Sequence, residues 1–167
     1  MAHGEEGQSV TVIGVSGHQN LPEAARRHAE NDIQALLARQ DTPFTGMSSL
    51  AEGADQLFAE LVLTAGGRLH VVIPSRDYET TLEGHALDTY RRLLAAAEET
   101  TRLPFDTPGE PAYHAAGNYI VEHCDLLVAV WDGHGARGLG GTGDAVAHAR
   151  ELGRDVLVSW PRGVRRP

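Results

Sequence analysis

Short apolar runs alternate along this chain with stretches in which apolar residues recur every three or four positions, from Ser9 to Trp160. Ser9 to Val15 is rich in β-branched residues and predicts a first strand. Leu21, Ala25, Ala29, Ile33, Leu36 and Leu37 then fall on one helical face, with Gln19 or Asn20 leading in and Pro22 at the start. Phe44 to Ser49 predicts a second strand. Leu57, Phe58, Leu61 and Val62 give the next helix its apolar face, with Asp55 at or near its N-cap and Gly66-Gly67 ending it. Arg68 to Ile73 is a third strand. A helix within Tyr78 to Ala97 turns Ala86, Leu87, Tyr90, Leu93 and Leu94 inward, and Thr100 to Leu103 predicts a short edge strand. After the connector Asp106 to Pro111, Ala112 to Cys124 is helical, with Tyr113, Ala116, Ile120 and His123 sharing a face. The unbroken run Leu126 to Val130 suits a strand buried on both faces. A glycine-rich loop, a helix from about Thr142 to Leu152 and a last strand, Val156 to Trp160, complete the chain.

Strands that alternate with helices in this way predict an α/β fold, a doubly wound, mostly parallel sheet of five or six strands with helices on both faces. Ligands of such sheets bind outside the carboxyl ends of the strands, where the strand order reverses. The expected organisation is a tail over residues 1–8, one domain over 9–161 and a basic, solvated tail over 162–167.

The strand ends carry the candidate chemistry. Gly138-Leu139-Gly140-Gly141-Thr142-Gly143 has four glycines in six residues and opens a helix. That density costs conformational entropy which an ordinary connection does not require. Free backbone N–H groups beside the Thr142 hydroxyl make a phosphate cradle. Asp144 in the first helical turn favours the helix dipole but repels a phosphate placed too close, so a sugar hydroxyl is its alternative partner. After the first strand, Ser16, Gly17 and His18 offer a donor, a close backbone approach and an acid or base, or else form a plain turn. Glu52 beside Gly53 suits a ribose hydroxyl, with a solvated loop charge as the rival, and Asp55 is read first as a cap. Trp131-Asp132-Gly133 could stack on a base and accept from a sugar, although a tryptophan there is more often core. Glu52, Asp132 and Asp144 are the candidate catalytic carboxylates.

Composition narrows this picture. Apolar residues are 41% and charged residues 22%, ordinary for a globular chain. A net charge of −9, from 14 Lys+Arg against 23 Asp+Glu, counts against nucleic acid as the main partner. The single cysteine, Cys124, reads as a buried structural thiol. The nine histidines form no known ligand spacing, so no metal is expected. No apolar h-region opens the chain and no run reaches membrane-spanning length, so a cytoplasmic protein without a membrane contact is expected.

Gly14-Val15-Ser16-Gly17-His18, Leu50 to Asp55, Cys124-Asp125 to Asp132-Gly133 and Gly140 to Gly143, in this order, resemble the SLOG superfamily. That group includes the DNA-processing protein DprA, the LOG phosphoribohydrolases and ligand-sensing SLOG domains. The resemblance spans Ser9 to Pro161 and implies a Rossmann-like fold that binds a nucleotide or nucleotide-derived sugar, no further cofactor, and a homodimer. It implies a ligand site at Ser16, Gly17, His18, Glu52, Gly53, Asp55, Trp131, Asp132, Gly133, Gly140, Gly141, Thr142 and Gly143. Two departures stand out. Laid on the LOG motif PGGxGTxxE, this chain has Leu139 for the proline, Asp144 for the threonine and Ala147 for the catalytic glutamate. Gln19 stands where many relatives have an arginine. A binding or sensing module is therefore the first expectation. A LOG-like N-glycosidase acting on a nucleoside monophosphate, with an altered carboxylate, is the second. A DNA-associated role is the third.

Overall fold

The computed structural model describes residues 10–134 and 141–167. Six strands form one sheet, β1 (Thr11–Gly17), β2 (Phe44–Ser48), β3 (Arg68–Ile73), β4 (Glu99–Arg102), β5 (Leu126–Val130) and β6 (Asp155–Ser159). Their order is β4-β3-β2-β1-β5-β6, and every pairing is parallel. The expected fold class is thus observed, with the sheet wholly parallel. Five α-helices lie among the described residues, α1 (Glu23–Ala38), α2 (Ala54–Thr64), α3 (Gly84–Ala96), α4 (Glu110–His123) and α5 (Thr142–Glu151), with a 3₁₀ turn at Tyr78–Thr81.

The period-2 geometry of the strands sorts the core into two layers. Ile13 and Val15 of β1 and Val128 and Val130 of β5 pack with α1 and α2. Leu127 and Ala129 face the other way, onto Ala116 and Ile120 of α4 and Ala145, Val146 and Ala149 of α5. On β3, Leu69, Val71 and Ile73 meet α3, whereas Val72 joins the α4 side. Three helices therefore cover one face and two the other. The chain winds outward from β1 to β4 and then crosses back to β5, so the strand order reverses between β1 and β5.

Four local expectations are corrected. The α1 N-cap is Pro22 itself, so proline stands one position before the first helical turn. The α2 N-cap is Gly53, and Asp55 lies inside the first turn without capping it. His123 is exposed, because the last turn of α4 carries it past the sheet; it stacks on Tyr119 with ring centroids 4.0 Å apart. The edge strand pairs through His70↔Glu99 to Ile73↔Arg102, one residue earlier than its apolar content suggested.

Candidate functional site

A cleft of about 400 Å³ opens at the carboxyl ends of the strands, over the β1/β5 reversal. That volume lies within the range of small-ligand sites. Four of the expected loops converge on it, bringing Ser16, Gly17 and His18, Glu52 and Asp55, Trp131, and Gly141, Thr142 and Gly143 into one lining. Gly140 falls outside the described residues. Gly53, Asp132 and Gly133 do not line this cleft, and neither does Asp144 at the start of α5. Ala147 is exposed and also away from it.

One side of the cleft belongs to β1, β5 and α5. Ser16 and Ala129 are register partners on adjacent strands. Ser16 sits on the face that α5 covers, and its Oγ lies 3.0 Å from Thr142 Oγ1 at the helix N-terminus. The loop after β1 is tied down by the His18 N–H, which donates to the Val130 carbonyl at 3.1 Å. Both His18 ring nitrogens are engaged. Arg166 Nη1 is 3.2 Å from Nδ1, and because arginine can only donate, Nδ1 accepts. The single imidazole proton then sits on Nε2, 3.3 Å from Asp132 Oδ1. The Asp132 N–H also lies 3.3 Å from Nε2, but it could bond there only in the opposite tautomer, which the Arg166 contact disfavours. Burial and then the Arg166 charge hold His18 below its ordinary 6.5, against the pull of Asp132.

Asp132 works from behind the lining. Its side chain is 8% exposed, and it accepts from the His134 N–H at 3.0 Å. Burial pushes its carboxyl up, but that hydrogen bond, His18 and Arg166 together hold it below the ordinary carboxylate value. It orients His18 and Arg166, and a carboxyl so firmly ionised is a poor proton donor. Trp131 both packs on the core and lines the cleft, with its Nε1–H donating to the His134 carbonyl at 2.7 Å.

The other side comes from the loop after β2, the 3₁₀ turn and α4. Leu50 is fully buried in the left-handed region, at φ 59, a conformation that costs a branched apolar residue free energy. Its N–H donates to Ser48 Oγ at 3.0 Å, and Gln56 Nε2 donates to its carbonyl at 3.1 Å. This turn returns the chain so that the Ala51 N–H donates to Asp55 Oδ2 at 3.3 Å. Asp55 faces the cleft yet lies deep among protein atoms. Burial pushes its carboxyl up to about 7, in spite of the backbone hydrogen bonds from Ala51 and Ser49. Tyr78, Leu82 and Tyr113 continue this side. Tyr78 and Tyr113 meet edge to face, with centroids 6.3 Å apart.

Two of the expected site glycines are also seams between loops. A Cβ on Gly17 would lie 2.4 Å from Ala54 Cβ and 2.9 Å from Val130 Cβ. Gly53 has φ 90, and a Cβ there would lie 2.2 Å from the Gln19 carbonyl oxygen. The Ala54 N–H donates to the His18 carbonyl at 3.2 Å across the same seam.

Arg166 was not among the expected site residues, because the basic C-terminal cluster reads as a solvated tail. The structure corrects this. The Trp160 Nε1–H donates to the Val164 carbonyl at 2.7 Å, and the Trp160 ring sits edge-on to His18 with centroids 5.4 Å apart. This turn sends the last residues back over the loop after β1. Nothing in local periodicity announces it; the only sequence signal was an arginine cluster just beyond a tryptophan.

Cys124 is buried below the amino end of β5, and burial pushes its thiol up to about 11. Among the described residues, no group of three or more His, Cys, Asp and Glu could hold a metal ion. No helix among them is long and apolar enough to cross a membrane.

Solved structures share this fold. DprA from Streptococcus pneumoniae superposes with a TM-score of 0.67 at 19% identity, over 89% of this chain and 50% of its own. DprA from Helicobacter pylori, described for its single-stranded DNA binding mode, gives 0.62 at 13% over 89% of this chain and 64% of its own. The molybdenum cofactor binding protein from Rippkaea orientalis gives 0.58 at 17% over 90% and 76%. The chain shares the Rossmann-like α/β fold of these structures. It spans half the length of the pneumococcal DprA. No family model matches the sequence, and no curated protein matches it significantly. A protein of this fold is described for its single-stranded DNA binding mode, whereas the acidic charge of this chain counts against nucleic acid.

Proposed function

We propose that the cleft binds a nucleotide or a nucleotide-derived sugar phosphate and that the protein is a ligand-binding or sensing module. The observation that carries this reading is the 3.0 Å meeting of the Ser16 and Thr142 hydroxyls at the N-terminus of α5, beside the strand-order reversal. A phosphate placed there meets hydroxyl donors and helix N–H groups. The sugar and base extend toward Trp131, Tyr78 and Tyr113, which offer aromatic surface. The size of the cleft favours a small ligand over a polynucleotide.

The test is a thermal-shift screen with AMP, ADP-ribose, dinucleotides and a single-stranded oligonucleotide. Binding raises Tm by mass action. Gly141 has φ −78, which any residue adopts, so Gly141→Val probes ligand space without backbone strain. The variant should keep its helical content and lose the shift. A full panel without any shift, on folded protein, would refute the proposal.

A second reading has one observation in its favour. Asp55, with its carboxyl near 7 and inside the cleft, can donate a proton at neutral pH, as N-glycosidic cleavage of a nucleoside monophosphate requires. It fits that task better than Glu52, which is exposed at the rim, or Asp132, which is held ionised. Free base released from AMP by the native protein, and not by Asp55→Asn, would establish hydrolysis. Release that persists in Asp55→Asn and stops in Asp132→Asn would move the acid elsewhere.

A further inference from the structure

The proposed phosphate site needs a cation; the loop after β1 carries no Lys or Arg, and Arg137, in the loop before α5, lies outside the described residues. Gln19 occupies the position after His18. Arg166 is the one Lys or Arg among the described residues that line the cleft. Its side chain is 22% exposed, so it is half sheltered rather than free in solvent.

Its partners leave it available. The guanidinium has five N–H donors. One contact goes to His18 Nδ1 at 3.2 Å. The second is to Asp132 Oδ2 from Nε at 3.8 Å, close enough to steer the charge and too long for a hydrogen bond. The His18 contact and the Trp160–Val164 turn hold the fork in place, so little side-chain freedom remains to be lost on binding. A planar fork matches two phosphate oxygens at once.

We infer that Arg166 is the charged phosphate ligand of this cleft, carried over the loop after β1 by the chain's last residues. The inference rests on the nucleotide reading above and assigns the charge in it. Arg166 takes two phosphate oxygens, Thr142 and the α5 N-terminus take the third, and His18 and Asp132 position the guanidinium. The same phosphate chemistry is present in a small nucleotide and in a DNA backbone, and the inference is for the nucleotide.

The experiment is calorimetric titration of the full chain and of Arg166→Gln, Arg166→Lys and Arg165→Gln with AMP, ADP-ribose, adenosine and a single-stranded oligonucleotide. Arg166→Gln should weaken AMP by about tenfold or more, the size of a lost charged hydrogen bond. It should leave adenosine within about twofold, because adenosine has no phosphate to lose. Arg166→Lys should recover part of the AMP affinity, since it restores charge without the fork. Arg165→Gln, at an exposed neighbour, should match the native protein. AMP affinity that is unchanged in Arg166→Gln overturns the assignment and leaves the nucleotide site standing. An Arg166 effect seen with the oligonucleotide and not with AMP overturns the nucleotide source. A native protein that binds none of the probes overturns the nucleotide reading and this inference with it.

Discussion

The two sides of the cleft handle polar groups in opposite ways. On the β1/β5 side, His18, Asp132 and Arg166 form a chain in which each ionisable group has a partner. On the β2/α2 side, Asp55 meets two backbone N–H groups, and no cation pairs with it among the described residues. Partnered groups stay in their ordinary neutral-pH states, with Asp132 ionised and His18 neutral. The carboxyl without a cation instead holds its proton up to about 7. One side is thus suited to an anion, and the other to a hydroxyl-bearing or aromatic group, with a proton close by.

The seam that joins the two sides is where the largest effect is expected. Gly17→Val puts carbon 2.4 Å from Ala54 Cβ, and neither the N-terminus of α2 nor β5 can move without repacking the core. Denaturant unfolding should show a loss of at least about 3 kcal/mol. Gly133→Ala is the control: φ is 88 but nothing lies within 4 Å of the new carbon, so only backbone strain of about 1 kcal/mol is expected. Equal losses in the two variants would mean that the seam is not tightly packed.

Asp55 gives the next largest effect. Its folded pKa of about 7 lies above the ordinary 3.8, so through that window the folded protein holds a proton that the unfolded chain releases. Stability from this group therefore falls as pH rises from 3.8 to about 7, and is level beyond. Asp55→Asn keeps the acceptor for the Ala51 N–H and removes the titration. It should gain roughly 2 to 4 kcal/mol over the native protein at pH 8 and little at pH 4. A gain that does not change with pH would show that the carboxyl is not buried as a neutral acid.

Much of this contrast is legible only on one side. Leu126 to Val130 and Val12 to Val15 announce doubly covered strands, because both faces of each are apolar, whereas the place of the order reversal, between β1 and β5, comes from the structure. The glycines before Thr142 mark the α5 N-terminus by their density alone. Asp55 misleads because a helix-opening aspartate usually caps, whereas here Gly53 takes that place and the left-handed Leu50 folds the loop over the carboxyl. Arg166 is missed because the turn that delivers it depends on a tryptophan hydrogen bond, not on hydrophobic period.

His18 is expected to respond to pH with the opposite sign. Its folded pKa is below 6.5, so as pH falls past that value the unfolded chain takes up a proton that the folded protein refuses. Stability from this group is present above pH 6.5 and is lost on acidification. His18→Gln should remove that loss and flatten the stability curve between pH 6.5 and 5. Asp132 also loses stability in acid, but in a lower window beneath its ordinary 3.8, so the two titrations separate in a stability-against-pH curve. A native protein that gained stability between pH 6.5 and 5 by more than Asp55 supplies would reverse the assignment of a neutral His18.

The smallest effect tests whether the hydroxyl pair at the reversal serves the fold or the ligand. Ser16→Ala removes the 3.0 Å partner of Thr142, whose side chain is buried, and leaves the α5 N-terminus otherwise intact. The stability cost should be about 0.5 to 1 kcal/mol, the net value of one hydrogen bond. The two hydroxyls satisfy each other; on the proposed nucleotide reading, both would turn to a bound phosphate. AMP affinity should therefore fall by about fivefold, more than the stability loss alone would transmit. A stability loss with unchanged AMP binding would mean that the pair merely clasps α5 to β1. The anion would then sit lower on the β1/β5 side, closer to Arg166.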